Sequence, residues 1–285
     1  MATLKQIRGR IKAAKNIQQI TKAMKLVAAA RLKKATDRVL EARPYADKLK
    51  SVMESVSGSG DLPSHPLMDK RPIKKACLIV VTSDRGLAGA FNTSLIRKAS
   101  DFMKAANYEV SLFTVGKKGN QFFGRRGYNI RQTLSVPSSG ARLEDSNLVA
   151  SVTRNLFESG EVDAIFVCYS KFYSAIRQVP LIVQLLPIEP PVASDTSAKL
   201  SYDFEPDPEQ LLNTLLPRYF STLLWQALLE STASEFGARM TAMTSATDNA
   251  GKMIHNLTLT ANRERQAAIT KEILEVVGGA EALKA

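Results

Sequence analysis

Two glycine-containing turns carry the residue types that could bind phosphate or do chemistry. Residues 83–90, SDRGLAGA, follow an apolar run and could cradle a phosphate at the N-terminus of a helix. This turn lacks the first glycine of the dinucleotide-binding fingerprint, and residues 115–119, VGKKG, lack the spacing and the Ser or Thr of a P-loop. Nucleotide binding is therefore the weaker interpretation of both turns.

The other candidate chemical groups are isolated. Asp84 and Arg85 have no His, Cys or second carboxylate nearby in the sequence, which favours a turn-stabilising ion pair or a partner contact over catalysis. Cys77 and Cys168 lie in apolar, strand-like runs and are expected to be buried, inert thiols. The two histidines have no ligand-spaced neighbours. The sequence predicts no catalytic, metal or cofactor residue.

Charge is concentrated at the N-terminus. The first fifty residues contain fourteen Lys or Arg and three acidic residues, and so account for 11 units of the net charge of +12. Such a segment is expected to bind partners. Its apolar residues recur in steps of three and four, typical of one stripe of a helix, at Leu4, Ile7, Ile11, Ala14, Ile17, Ile20, Met24 and Val27.

The remaining pattern predicts how this helix is accommodated. A helix over residues 3–57, bent or interrupted at Pro44, is too long for a compact domain to bury. Strand-like runs then alternate with helical ones, at 77–82, 90–106, 110–115, 142–159 and 162–169, which indicates an α/β domain with a mainly parallel sheet. Residues 172–176 and 180–187 could add edge strands or form the connection outward.

A second long helix follows residue 208. Its seam has the 3.5-residue period of a coiled coil, at Phe236, Met240, Met243, Thr247, Ala250, Ile254, Leu257 and Ala261. After two steps of four through Arg265, the pattern resumes at Ile269, Ile273, Val276 and Ala280, a stutter. We expect an antiparallel coiled coil of the terminal helices with an inserted Rossmann-like α/β domain, in preference to separate layers of a helical bundle.

Two other classes of protein are disfavoured. No apolar run reaches the length of a membrane span, and the basic N-terminus lacks the continuous apolar region of a secretory signal. The basic helix could neutralise nucleic-acid phosphates, which is the alternative function. However, residues 4–43 contain no aromatic residue for stacking, and the apolar seam already requires a protein partner.

Four segments give the chain a family resemblance. ITKAMKLVAAARL (20–32), TSDRGLAGAFN (82–92), ARMTAMTSATDNA (238–250) and NRERQAAITKEILEVVGGAEAL (262–283) resemble the gamma subunit of F-type ATP synthase, bacterial type, in the family's order and over essentially the whole chain. The resemblance implies a rotor and not an enzyme by itself, with no cofactor of its own. The paired helices would turn inside a head of alternating alpha and beta subunits, whose residues perform catalysis.

The resemblance also implies contact residues. Along the shaft, those facing the catalytic subunits would be Arg8, Lys12, Lys15, Lys22, Met24, Lys25, Arg31, Lys33, Arg265, Gln266 and Thr270. Tyr202 and Glu205, with a possible contribution from Asp84 and Arg85, would contact the membrane c-ring or the epsilon subunit. The end of the chain, from residue 276 onward, resembles a tip that turns in an apolar sleeve.

Organisation and location complete these expectations. Residues 1–60 and 208–285 would form the shaft, and residues 72–195 the α/β domain at its foot. Membrane attachment would be peripheral and through partners. Because the sequence begins at Met as the family's mature chains do, the resemblance favours the cytoplasmic face of a bacterial inner membrane over a mitochondrion.

Overall fold

The fold is that of a computed structural model, which describes residues 3–58, 65–137, 139–189 and 208–282. Tyr202 and Glu205 lie outside the described residues. The chain divides into two compact units. The coiled-coil unit comprises Met1–Val27 and Met240–Ala285, and the α/β unit comprises Ala28–Arg239. The long helices α1, Leu4–Gly58, and α5, Pro208–Ala282, each contribute to both units.

The α/β unit contains a five-stranded sheet with strand order β3-β2-β1-β4-β5. The first four strands in this order are parallel, and β5 is antiparallel to β4 at the edge. The mainly parallel sheet predicted from the alternating pattern is therefore confirmed. In chain order its elements are β1 Lys75–Val81, α2 Phe91–Ala105, β2 Glu109–Val115, α3 Lys117–Gly124, β3 Ile130–Leu134, α4 Leu143–Glu158, β4 Ala164–Phe172 and β5 Gln178–Leu186.

Alternation along the strands gives the sheet two buried faces. Cys77 and Ile79 point to the face covered by α4 and by segments of α1 and α5. Leu78 and Val80 point to the face covered by α2 and α3. Cys168 belongs to this second face, so the two cysteines are buried on opposite sides of the sheet as free thiols. Their predicted burial is confirmed.

Four features of this unit differ from the prediction or were missed. Helix α3 has only eight residues and contains two glycines, and β3 carries polar side chains at three of its five positions, so neither was predicted. Residues 172–176 are not a separate strand, because β4 ends at Phe172 and the chain turns back through a bond from Tyr173 N to Arg177 O. Helix α1 is not interrupted at Pro44.

In the coiled-coil unit, α1 and α5 are antiparallel. The hydroxyl of Thr247 donates to that of Thr21 at 2.9 Å, and Gln18, one turn earlier in α1, approaches Gly251, one turn later in α5. The α5 seam of this unit is confirmed, since every predicted position is buried or half-buried: Met240, Met243, Thr247, Ala250, Ile254, Leu257 and Ala261. The predicted fold class, an antiparallel coiled coil with an inserted α/β domain, is thus the observed one.

Of the four positions predicted for the α1 seam beyond Ala14, Met24 is half-buried and the other three are wrong. Ile17, Ile20 and Val27 are 53%, 60% and 52% exposed. The observed seam repeats every seven residues, with Ile7, Ala14 and Thr21 buried and Leu4, Ile11, Gln18 and Lys25 half-buried. A supercoiled pair keeps a period of 3.5 residues, so the seam passes through Gln18 and Thr21 although they are polar. A count of apolar residues alone therefore selected a stripe of α1 that differs from the observed seam.

The seam of α5 ends where α1 begins. Because Thr21 faces Thr247 and both helices rise equally per residue, Leu4 lies opposite Glu264. Glu264 is half-buried, whereas residues 265–279 are all exposed. The predicted continuation through Arg265, Ile269, Ile273 and Val276 is therefore wrong within the described chain, because α5 has no partner helix there. We call residues 265–279 the α5 overhang.

Two glycines of the α/β unit provide a test of this packing. Gly116 has φ +92°, and a Cβ there would lie 2.1 Å from the backbone oxygen of Thr82, which β2 holds in place through Val115 O. Gly127 has φ +72° and open space around it. Gly116→Ala should lower the free energy of unfolding by about 3 kcal/mol or more, and Gly127→Ala by about 1 kcal/mol. Urea unfolding followed by Trp225 fluorescence measures both, and equal losses would contradict this packing.

Candidate functional site

Four of the predicted α1 contact residues lie on one flank of the coiled-coil unit. Arg8, Lys15 and Lys22 are spaced seven residues apart, each one position after a buried seam residue, and Lys12 lies beside them on the same side. All four are exposed, and in the described chain none is paired with an acidic side chain. We call these four residues the cationic flank. The structure thus brings together four of the predicted contact residues.

The other flank of the same helix segment is apolar from Ile17 onward, and the exposed Arg10 lies on it one heptad earlier. Ile17, Ile20 and Val27 are exposed there, and Met24 between them is half-buried. At about 100° per residue, these positions fall on the side of the seam opposite to the cationic flank. We call these four residues the apolar flank. Of these four residues, only Met24 was predicted as a contact. The seven-residue register, which places Ile17, Ile20 and Val27 outside the seam, would also have identified those three as exposed.

The remaining predicted α1 contacts are not on the cationic flank. Lys25 is a half-buried seam residue of the coiled-coil unit. Arg31 and Lys33 belong to the α/β unit, where Arg31 is half-buried with its guanidinium carbon 5.8 Å from the centre of the Phe236 ring, and Lys33 is exposed. The structure therefore divides the predicted cationic set between two environments.

The α5 overhang carries Arg265, Gln266 and Thr270 on its exposed surface. The hydroxyl of Thr270 donates to the backbone oxygen of Gln266 at 3.0 Å, a bond within the helix that leaves the Gln266 side chain exposed. The overhang also exposes an unusual number of large apolar side chains: Ile269, Ile273, Leu274, Val276 and Val277. Exposed apolar surface of this extent is typical of an interaction site.

The turn after β1 is built by Asp84. Its carboxylate oxygen Oδ1 accepts bonds from the backbone nitrogens of Lys117 at 3.0 Å and Val136 at 3.3 Å, which ties together the carboxyl ends of three strands. Of the two alternatives predicted for Asp84 and Arg85, an ion pair or a partner contact, the ion pair is not seen among the described residues, and Arg85 is exposed. Leu87 is 64% exposed with φ +61°, a conformation that costs a leucine roughly 1–2 kcal/mol.

Helix α5 occupies the crevice where sheets of this type bind nucleotides. That crevice lies at the carboxyl ends of the strands where the order reverses, here between β1 and β4. The Ser234 hydroxyl donates to Ser170 O at 2.9 Å, and Arg239, paired with Glu235 at 2.7 Å, donates to Gly86 O at 3.4 Å. The glycine-containing turn therefore meets a helix and not a phosphate.

Comparison with known proteins identifies the family. The family described as ATP synthase matches residues 3–283. The chain is 47% identical over 284 residues to the ATP synthase gamma chain of Pelotomaculum thermopropionicum, covering 100% of both chains. It is 44% identical to that of Brevibacillus brevis, covering 98% of both. The chain belongs to the ATP synthase gamma-chain family.

Solved structures share the fold at lower identity. A chain of the Euglena gracilis mitochondrial ATP synthase aligns with a TM-score of 0.72 at 19% identity, covering 98% of this chain and 94% of that one. A chain of the Tetrahymena thermophila mitochondrial ATP synthase central stalk and c-ring aligns with a TM-score of 0.61 at 24% identity, covering 80% and 99%. These likenesses support the fold, while the sequence relatives establish the family.

Family membership makes this chain a non-catalytic subunit of ATP synthase, which is a membrane-associated complex. Nothing in the comparisons supports the nucleic-acid-binding alternative. No helix in the described ranges is both long and apolar enough to span a bilayer. Likewise, no group of three or more His, Cys, Asp or Glu side chains in the described part of the chain is arranged to hold a metal ion.

Helix α5 also carries a buried carboxylate, Glu230, beside the carboxyl end of β4. Burial raises the pKa of Glu230, while Lys171, the backbone N–H of Phe172 and Arg43 act in the opposite direction. One of its carboxylate oxygens is buried without a hydrogen bond. Burial together with Glu230 raises the pKa of Tyr169 to about 12. The Glu230 carboxyl group therefore holds a proton more tightly in the folded chain than in the unfolded one.

A pH-dependent contribution to stability follows. Because folding raises the Glu230 pKa, its contribution favours the folded state at low pH and is lost as pH rises from 4.5 through the folded pKa. The Glu230→Gln variant lacks this ionisation. The difference in unfolding free energy, variant minus parent chain, should therefore increase as pH rises from 4.5 through the folded pKa of Glu230. Urea unfolding at a series of pH values measures this, with the exposed Glu109→Gln as control. A constant difference would rule the effect out.

Proposed function

We propose that this chain is the central rotor stalk of an F-type ATP synthase, coupling ion flow through the membrane ring to ATP synthesis or hydrolysis in the head of alternating alpha and beta subunits. The observation that carries the proposal is the antiparallel coiled-coil unit with two unlike flanks and a projecting α5 overhang. The gamma-chain relatives, matched over their full length, support it.

The unlike flanks supply the physical basis of coupling. A rotor changes the nucleotide affinity of a catalytic subunit only if its contacts with that subunit differ between rotor angles. A symmetric rod would present the same surface at every angle and would transmit nothing. Here one flank presents cations and the other presents Ile17, Ile20 and Val27, so each turn exchanges charged contacts for apolar ones.

The cationic flank is proposed to face acidic segments of the catalytic subunits. An exposed ion pair contributes only ~0.2–1 kcal/mol, so torque is spread over several contacts. Arg31, Lys33, Met24 and Lys25 are proposed as further contacts, with the half-buried Lys25 reaching outward by its long side chain.

The α5 overhang is proposed to run in an apolar sleeve of the head. Fully burying one large apolar side chain contributes ~1.5–3 kcal/mol, and the overhang exposes five of them. Arg265, Gln266 and Thr270 are proposed to contact loops of the beta subunit. The α5 overhang therefore needs no partner helix from its own chain, because the sleeve would bury its apolar side chains.

The foot of the rotor is assigned to the α/β unit and its neighbouring segments. Tyr202 and Glu205 are proposed to contact the c-ring. The α/β unit is proposed to bind the epsilon subunit, for which the exposed Arg85 is an available contact. Asp84 would act by holding that turn, through its bonds to two backbone nitrogens. In this scheme residues 1–60 and 208–285 serve as shaft and residues 72–195 as foot.

The complex is proposed to lie at the cytoplasmic face of a bacterial inner membrane. The support is that the relatives at 47% and 44% identity are bacterial chains, whereas the mitochondrial structures share 19% and 24% identity. Attachment is through the membrane ring and not through this chain.

Purification from membranes tests the function. The tagged chain is isolated from gently solubilised membranes, and its co-purifying subunits and ATPase activity are measured on one sample. We expect alpha, beta, epsilon and ring subunits together with ATPase activity, whereas the chain purified alone should hydrolyse no ATP. Recovery without the other subunits, or with nucleic acid in their place, would contradict the proposal.

Charge removal on the cationic flank tests the spread of torque. Single changes Arg8→Gln, Lys15→Gln or Lys22→Gln should alter ATP turnover of the complex with alpha and beta less than about threefold, and the triple variant roughly tenfold. The control is a triple Gln variant at Arg97, Lys98 and Lys104, exposed residues of α2 in the α/β unit. A full loss from one substitution, or equal losses in both triple variants, would refute distributed contacts.

A further inference from the structure

A groove of the α/β unit has no part in the proposed rotor contacts. It has a volume of about 640 Å³ and lies between α1, α4 and α5. This volume is in the range of ~300–1,000 Å³ that is typical of small-molecule sites. One face of each helix contributes: Ala42, Tyr45 and Ala46 from α1; Leu143, Asn147 and Arg154 from α4; Pro217, Arg218, Ser221, Thr222, Trp225 and Gln226 from α5.

Local sequence explains why the helices leave this space. The α1 side of the groove has two alanines, Ala42 and Ala46, whose side chains do not reach across it. On the α5 side, Pro217 has no backbone N–H, so one carbonyl of the preceding turn lacks its helical hydrogen bond. Small side chains and a weakened turn therefore face each other across the groove.

The walls of the groove are amphipathic. Tyr45 is 56% exposed and Leu143 is 53% exposed, although both are large enough to be buried in a core. Trp225, the only tryptophan of the chain, lines the same space and is half-buried. Aromatic side chains of this kind bury much apolar area with little loss of conformational entropy.

The charged lining has one sign. Arg154 and Arg218 are its only ionisable cations, and no acidic residue belongs to the lining. Arg218 is exposed, and Arg154 is half-buried with its Nε atom 3.5 Å from the Glu158 carboxylate, an ion pair within α4. A guanidinium group has five N–H donors, so Arg154 can bind a ligand anion in addition to Glu158.

We propose that this groove binds a single-chain amphipathic anion, such as a medium-chain carboxylate. Its headgroup pairs with Arg154 and Arg218, and its alkyl chain lies along Tyr45, Leu143 and Trp225. The chemistry follows from the combination of two guanidinium groups, a described lining without an acidic residue of its own, and an aromatic wall. The inference does not rest on the rotor function, since it concerns binding by the chain alone.

Titration of the full-length chain with decanoate tests the proposal through Trp225 fluorescence. We expect saturable binding well below the concentration at which decanoate forms micelles. Each added CH₂ that is buried strengthens binding roughly fourfold, so affinity should rise from hexanoate through octanoate to decanoate. Decyltrimethylammonium, with the same chain and the opposite charge, should bind at least tenfold more weakly. Equal binding of the cation would overturn the proposal.

Variants locate the site. Arg154→Gln and Arg218→Gln should each weaken decanoate binding roughly tenfold, and Arg97→Gln, an exposed arginine of α2, should leave it unchanged. Far-ultraviolet circular dichroism confirms that the variants fold, and Arg218→Lys should retain part of the affinity because it keeps the charge. Undiminished binding in both Gln variants would overturn the proposal. So would binding only to anionic vesicles, or only to an acidic peptide, with none to decanoate.

Discussion

The seven-residue register between α1 and α5 is the constraint on which the partner surfaces of this protein depend. It is fixed in the coiled-coil unit by the contact of Thr21 with Thr247, and every other assignment follows by counting along two helices of equal rise. The register places Arg8, Lys15 and Lys22 on one flank and Ile17 and Ile20 on the other. It also determines that, within the described residues, α5 extends beyond Glu264 without a partner helix.

The composition of that seam explains why apolar residues are left outside it. Ala14, Thr21 and Ala250 are small and buried, so the helices approach closely and each contact buries little area. In an ordinary coiled coil, leucine or isoleucine at these positions would supply most of the stability. Here the isoleucines at 17 and 20 face outward. The pair therefore keeps part of its apolar surface for other chains, as a subunit that turns inside a head requires.

Sequence periodicity predicted the elements that have strong apolar repetition, and it missed the features that depend on polar contacts. The strands β1, β2 and β4 and the α5 seam from Met240 to Ala261 have uniform patterns, and these were predicted correctly. Gln18 and Thr21 in the α1 seam were missed because hydropathy gives no weight to a hydroxyl that bonds across helices. The role of Asp84 was missed for a similar reason, since its partners, the backbone nitrogens of Lys117 and Val136, are distant in sequence.

The crevice filled by α5 shows how a nucleotide-binding architecture can serve mechanics. Bonds from Ser234 to Ser170 and from Arg239 to Gly86 join the helix to the carboxyl ends of the strands. A torque on α5 within the α/β unit therefore acts on the sheet through buried polar contacts as well as through apolar packing. Polar contacts have specific directions, and they resist rotation of a helix about its own axis better than apolar packing does. Burial raises the pKa of Glu235, and its tight pair with Arg239 offsets this cost. A buried ion pair at the junction of α5 and the sheet adds little net stability, but it fixes the orientation of the helix relative to the strands.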